Sequence, residues 1–228
     1  MREPTVASLM TDQVITATPD TRFKDLVALL AENAISAVPV VDDGRVVGVV
    51  SEADLLPKEE YRGGADDPPG LFAGKAARKR WAQAHALTAA DLMTTPVRTI
   101  RPDARAAAAA HAMAEAGVRR LFVVSPDGAL VGVLSRRDLL KVFVRRDDEL
   151  VAAIRDEVLG RSLWLTPGTV DVDVKDGVVT IRGEVERRSE VGIAGYLASV
   201  TPGVVAVHNH ISATWDDTVP PRREDVRG

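Results

Sequence analysis

Two short motifs in this sequence combine a serine with an aspartate three residues later. They are Ser51-x-x-Asp54 and Ser135-x-x-Asp138, and each follows a short apolar run. A serine that ends a strand and opens a helix lies where free backbone N–H groups and the helix dipole favour an anion such as phosphate. One turn further, the aspartate carboxylate can accept two hydrogen bonds from a ribose diol. The motifs therefore suit a nucleoside phosphate.

The same spacing is also close to that of a capping box, in which a serine and an acidic residue satisfy N–H groups at the start of a helix. A duplicated capping box with no ligand would leave the same pattern in the sequence. At this level both interpretations stay open.

The two motifs belong to an internal repeat, which runs over residues 10–56 and again over 93–140. The copies stay in register except for one residue inserted where Asp43-Gly44 corresponds to residues 126–128. Each copy predicts a short extended piece, a helix, two strands joined by a tight turn and a second helix. The repeat thus predicts two similar modules, with strands at 38–41 and 46–50 in the first copy.

The segments PVVDDGRVVGVVSEADLL and FVVSPDGALVGVLSRRDLL, with Gly48 and Gly132 before their second strands, resemble the CBS (cystathionine-β-synthase-like) domain. The resemblance implies an α+β (α/β) fold with βαββα modules that pair about a pseudo-twofold axis and leave two clefts. It also implies a regulatory adenine nucleotide (AMP, ADP or ATP) as ligand, with no cofactor required.

Several side chains are expected to line these clefts. Apolar walls from Val38, Val40, Leu121 and Val123 would cover an adenine, and forked donors from Arg120 and Arg136 would pair with phosphate. The resemblance implies that Thr16 and Thr99 also line the clefts. It matches Pro39 to a proline that is common in the family, and the second copy has Phe122 at the corresponding position. The expected ligand-binding set is Thr16, Val38, Pro39, Ser51, Asp54, Thr99, Arg120, Leu121, Ser135, Arg136 and Asp138.

A different pattern follows the repeats. Residues 1–62 are assigned to module 1 and residues 91–145 to module 2. Residues 63–90 are assigned to an insert, which contains a mobile loop and a helix over 75–87. The basic residues of the insert helix are expected to form a solvated face. Residues 146–215 predict a helix, two strands in a hairpin, a helix and a third strand. A polar tail covers residues 216–228.

The segments DGVVTIRGEV and PGVVAVHNHI within residues 146–215 resemble the BON domain. That resemblance implies a binding role, often one at phospholipid surfaces. Residues 147–215 contain eleven acidic and six basic residues, which disfavours anionic lipid. A protein–protein or intramolecular contact is the better interpretation for this domain.

Composition narrows the function classes. The chain has 228 residues, a formal net charge of −4 and no cysteine, which disfavours nucleic acid binding and excludes disulfides and cysteine-based zinc sites. His208 and His210 have no third ligand at a suitable spacing, so no metal site is expected. The sequence shows no catalytic triad, phosphate-binding loop or paired acid and base. The protein is therefore expected not to be an enzyme.

The expected function is that of a cytoplasmic nucleotide sensor. It would form a homodimer through its CBS modules and act on the BON-like domain or on an unknown protein partner, without nucleic acid or membrane. The alternatives are a ligand-independent dimeric adaptor and a phospholipid-associated protein that acts through the BON domain. No stretch approaches the roughly 20 apolar residues that a spanning helix needs.

Overall fold

The computed structural model describes residues 3–62, 69–70 and 73–218. The chain divides into two compact units, of which one comprises Thr5–Arg136 and the other is formed mainly by the residues from Arg137 onward. The loop predicted at 62–70 and the polar tail at 216–228 lie largely outside the described residues.

The first repeat folds as predicted, with a helix packed on a strand hairpin. Its elements are α1 Val6–Leu9, α2 Phe23–Glu32, β1 Ala37–Asp42, β2 Arg45–Ser51, α3 Glu52–Leu55 and α4 Pro57–Glu60. Asp43 and Gly44 both have positive φ, as a two-residue type I′ hairpin turn requires. Leu26 and Leu30 of α2 are buried in the same core as the strand residue Val38.

The insert contributes one helix, α5 Lys75–His85. The second repeat then shares the order short helix, long helix, two strands and helix with the first, and it has one further short strand before the long helix. Its elements are α6 Ala89–Leu92, β3 Thr99–Ile100, α7 Ala106–Glu115, β4 Arg120–Val124, β5 Leu130–Ser135 and α8 Arg136–Leu140. Helix α5 lies where the insert helix was predicted, two residues shorter at its end. The inserted residue at the turn gives a longer loop, in which Ser125 N donates to Ala129 O at 2.9 Å.

Each repeat begins with a short helix that packs on the other repeat. In α6, Ala89 and Leu92 belong to the core of the first repeat, while Val6 N of α1 donates to Ala104 O at 2.8 Å. The start of each repeat then forms a β-bridge with the other repeat's second strand, between Thr94 and Val49 and between Thr11 and Val133. This exchange gives the pseudo-twofold arrangement.

The two small glycines of the repeat make the exchange possible. A Cβ built on Gly48 would lie 2.7 Å from Met93 Cβ, and one built on Gly132 would lie 3.1 Å from Met10 Cγ. Each glycine therefore accepts the methionine that opens the opposite repeat. The glycine that matched the CBS pattern in the sequence is explained here by a packing contact.

Replacing Gly48 by alanine is expected to lower the free energy of unfolding by about 1–3 kcal/mol, because the added carbon overpacks the Met93 contact. Guanidinium unfolding followed by circular dichroism measures the change. Gly74→Ala is the matched control, since nothing lies within 4 Å of a Cβ at that position. Equal unfolding midpoints for Gly48→Ala and wild type would contradict the packing explanation.

The second unit is a three-stranded sheet covered by helices. After a 3₁₀ helix, Lys141–Val144, its elements are α9 Asp147–Ala153, a π-helix Ile154–Ser162, β6 Val170–Lys175, β7 Val178–Arg187, α10 Arg188–Ser199 and β8 Ala206–Trp215. The strand order is β6-β7-β8, with β6 antiparallel and β8 parallel to β7. Strand β8 starts and ends later than the predicted 203–211, and the first helix continues in π form.

The apolar residues predicted for the first helix of this unit form its core. Leu150, Ile154 and Val158 are buried with the strand residues Val172 and Ile181. The side chain of Asp147 accepts hydrogen bonds from Asp176 N and Gly177 N, each at 2.8 Å, and so ties the helix to the hairpin turn.

None of the helices in the described part of the chain combines the length and the apolar character needed to cross a bilayer. The described residues also contain no group of three or more histidine, aspartate or glutamate side chains that could hold a metal ion.

Candidate functional site

A cavity of about 500 Å³ lies between the two repeats, within Thr5–Arg136. The first repeat contributes the end of β2 and the start of α3, with Ser51 and Asp54. The second repeat contributes Arg98 and, from the start of β4, Arg120 and Phe122. Its volume lies within the range of about 300–1,000 Å³ found for small-molecule sites.

The first Ser-x-x-Asp motif forms a capping box at the edge of this cavity. Asp54 Oδ2 accepts hydrogen bonds from Ser51 N at 2.9 Å and from Ser51 Oγ at 2.6 Å. The carboxylate is buried, with 8% of the residue exposed. The sequence left a capping box and a ligand site open as interpretations. The structure shows the capping box directly, and the same two residues also line the cavity.

The other carboxylate oxygen of Asp54 is held by residues from beyond the first repeat. Gln83 Nε2 donates to Asp54 Oδ1 at 2.7 Å, and Thr94 Oγ1 donates at 3.3 Å. Lys79 Nζ lies 3.7 Å from the same oxygen. Neither Gln83 nor Thr94 belongs to the expected ligand-binding set, and nothing in the local sequence pattern linked either of them to Asp54.

Arg120 places a half-buried cation at the cavity. Its guanidinium donates to Ser36 Oγ at 2.6 Å and to Ala37 O at 3.1 Å, which are both neutral oxygens. Burial lowers the pKa of Arg120 from its ordinary value, against a smaller opposing effect of the nearby Glu52 carboxylate. A desolvated cation with neutral partners favours an anion in the cavity.

The remaining charges at the cavity favour an anionic guest as well. Arg98 and Arg119 line it together with Arg120, while Glu52 and Asp54 are the acidic lining residues. Of these three arginines, only Arg120 belongs to the expected ligand-binding set.

Three members of the expected ligand-binding set, Ser51, Asp54 and Arg120, line this cavity together. Thr99 lies on β3 and is exposed, a few residues after the lining residue Pro96. Thr16 is exposed in the segment before α2.

The structure places the expected apolar walls differently. Val38 and Leu121 are not among the residues that line the cavity, and Val38 belongs to the core of its module. Their strand neighbours Ala37 and Phe122 line the cavity instead. Successive side chains of a strand point to opposite faces, so the wall is displaced by one residue from the sequence-based assignment. Pro39 is buried on β1, opposite Val49.

The second Ser-x-x-Asp motif lies around the start of α8. Asp138 is buried, with 8% exposed, and accepts a hydrogen bond from Lys141 Nζ at 2.7 Å. Ser135 is half-buried at the end of β5. Arg136 is exposed, and its Nε donates to Val118 O at 3.2 Å.

Comparisons with known proteins agree with both resemblances. The CBS domain model matches residues 6–59 and 89–145, and the BON domain model matches residues 146–214. The matched CBS segments begin at the short helices α1 and α6, four residues before the repeat recognised in the sequence.

Relatives with similar sequences include CBS-domain proteins, archaeal proteins without a described function and an inosine-5'-monophosphate dehydrogenase of Korarchaeum cryptofilum, which is 27% identical over 177 residues. CBSX2, a chloroplastic CBS domain-containing protein of Arabidopsis thaliana, is 30% identical over 142 residues, which cover 58% of this chain and 60% of that protein. The uncharacterized protein MJ1426 of Methanocaldococcus jannaschii is 30% identical over 139 residues, which cover 55% of this chain and 83% of the relative.

A crystal structure of CBSX2 in complex with AMP is similar in fold. It has a TM-score of 0.54 at 31% identity and covers 61% of this chain and 96% of the crystallised one. This chain belongs to the CBS-pair proteins and carries a BON domain after the pair, as the internal repeat, the cavity between its halves and the matched segments together indicate.

Proposed function

We propose that this protein is a non-catalytic regulatory sensor, whose CBS pair binds an adenine nucleotide in the cavity between its repeats. Binding is proposed to change the geometry of the pair and so to signal to the BON domain or to a partner protein. Arg120 is the observation that carries the proposal, because a half-buried guanidinium whose hydrogen-bond partners are neutral favours an anion in the cavity. The AMP complex of CBSX2 supports an adenine nucleotide as that anion.

The proposed pose follows from the lining residues. Arg120, aided by Arg98 and Arg119, pairs with the phosphate, while Phe122 and Ala37 cover the base. Asp54 is the acceptor proposed for the ribose diol. Further ligand-binding residues are proposed from both repeats: Thr16, Pro39, Thr99, Ser135, Arg136 and Asp138.

AMP is expected to bind the full chain with measurable heat in isothermal calorimetry and to raise its melting temperature. At an AMP concentration 100-fold above Kd, linkage stabilises the folded state by about 2.7 kcal/mol, which corresponds to a shift of several degrees. GMP is the matched control, since it shares the ribose phosphate and differs in the base. ADP, ATP and S-adenosylmethionine are titrated in parallel. The proposal would be overturned if no adenine ligand gave either heat or a thermal shift.

A ligand-independent adaptor is the second candidate, and one surface favours it. Helix α10 exposes Ile193 and Tyr196, at 46% and 66%, and Val200 directly after the helix is exposed at 47%. These residues are spaced three and four apart, so they form one apolar stripe along the helix and its end. Self-association or partner binding that is unchanged by nucleotides would support this candidate.

A further inference from the structure

The carboxylate of Asp54 has no free acceptor position for a ribose in this structure. An ionised carboxylate offers about four lone-pair sites for hydrogen bonds. Ser51 N and Ser51 Oγ fill those of Oδ2, and Gln83 Nε2 and Thr94 Oγ1 fill those of Oδ1. A ribose diol that binds Asp54 must therefore displace at least one of these donors.

Gln83 is the donor whose removal needs no change in either repeat. Ser51 belongs to the same helix start as Asp54, and Thr94 is held by the β-bridge between Thr94 and Val49. Gln83 comes from α5, the helix of the insert, and its side chain is buried, with 5% of the residue exposed. Its hydrogen bond to Asp54 Oδ1, at 2.7 Å, is shorter than the bond that Thr94 Oγ1 donates to the same oxygen.

Lys79 reinforces the same contact from one turn earlier on α5. Residues four apart lie on one helix face. Lys79 Nζ lies 3.7 Å from Asp54 Oδ1 and donates to Thr94 Oγ1 at 3.0 Å. Helix α5 thus places an amide and an ammonium group on the acceptor cluster of Asp54 and Thr94.

Most residues of α5 are exposed, and Trp81 is half-buried. Gln83 and Ala84 are its only buried residues, and residues 75–80 are all exposed. Arg80 forms an ion pair with Glu60 of α4, and both side chains are about half exposed. Solvent screens an exposed ion pair, so this pair holds the helix weakly. The contact between Gln83 and Asp54 is therefore a buried polar attachment of the helix.

We infer that α5 is an internal competitor for the ribose, so that a nucleotide which engages Asp54 releases the helix from Gln83. This inference rests on the proposed function and adds the element that moves. One polar contact exchanges for another at the same oxygen, and binding at the cavity is thereby converted into a change on the surface of the insert.

Limited proteolysis of the full chain tests the release. Trypsin cleaves after Lys75, Arg78, Lys79 and Arg80, all of which lie on α5. Saturating AMP is expected to speed cleavage in α5 about tenfold, as the loss of about 1.4 kcal/mol of holding free energy gives. Tryptic sites in the BON domain, such as Arg182, are the internal control and are expected to keep their rates. Mass spectrometry of the early fragments gives both.

Gln83→Ala tests the competition. The variant is expected to bind AMP about tenfold more tightly than wild type, since Asp54 Oδ1 loses its short intramolecular donor. The gain is expected to vanish for 2′,3′-dideoxyadenosine monophosphate, which has no diol for Asp54. Gln83→Glu, which places a carboxylate against Asp54, is expected to act in the same direction. His85→Ala is the control on the same helix, since the ring of His85 contacts Trp81 O within α5.

The outcomes separate this inference from the proposed function. AMP binding with unchanged cleavage of α5, or with unchanged or weaker affinity in Gln83→Ala, overturns the competition and leaves the sensor in place. Absence of binding of every adenine ligand titrated, in wild type and in both Gln83 variants, overturns the proposed function and the inference together.

Discussion

Replacing Arg120 by alanine is expected to weaken AMP binding by about 10- to 100-fold. A hydrogen-bonded contact with a charged group contributes about 1.5–3 kcal/mol, and this guanidinium is the half-buried cation of the cavity. Calorimetric titration of the variant measures the loss. The free energy of unfolding is expected to change little, because the partners left behind, Ser36 and Ala37, themselves line the cavity.

Two further variants make this result specific. Arg120→Lys keeps the charge but loses the planar fork that reaches Ser36 and Ala37, so its affinity is expected to fall between those of Arg120→Ala and wild type. Arg101→Ala removes an exposed arginine that does not line the cavity, and it is expected to bind AMP like wild type. Wild-type affinity in Arg120→Ala would show that the phosphate is bound elsewhere.

Replacing Gly183 by alanine is expected to destabilise the BON domain by about 3 kcal/mol or more. Gly183 has φ +147, which L residues rarely adopt, and a Cβ there would press on Thr169 O and lie 2.8 Å from Val170 Cα. Backbone strain of this kind costs about 1–3 kcal/mol and overpacking a similar amount. Thermal unfolding followed by circular dichroism is expected to show a fall of about 12 °C or more in the affected transition.

Gly192→Ala is the matched control in the same domain. Gly192 lies within α10, and nothing lies within 4 Å of a Cβ built on it. Alanine at this helix position is expected to stabilise the domain by about 0.5–1 kcal/mol. If Gly183→Ala melted at the same temperature as wild type, strand β7 would have to relax at this position without cost.

The order of elements was predictable because the patterns are local and strong. The helical spacing of Leu26 and Leu30 and the Asp43-Gly44 turn each specify one element without reference to the rest of the chain. The CBS and BON resemblances were confirmed by the matched domain models. The helices α1 and α6 were missed, since four residues are too few to show a period.

The site was predicted less completely, for two physical reasons. The run from Val38 to Val41 is apolar almost throughout, so its sequence does not show which face meets the core. The cavity wall was consequently assigned to Val38, whereas Ala37 lines the cavity. The contact of Gln83 with Asp54 joins residues 29 positions apart through a helix that is otherwise polar, and no periodic pattern marks such a long-range hydrogen bond.

The exchange of Met10 and Met93 between the halves has a consequence for how such a protein could arise. Met93 of the second half packs on Gly48 of the first, and Met10 of the first packs on Gly132 of the second. A protein with a single half could form this contact only as a dimer of two molecules, and that dimer would dissociate on dilution. Fusing two halves in one polypeptide fixes their effective concentration, so the intact unit no longer depends on how much protein the cell makes.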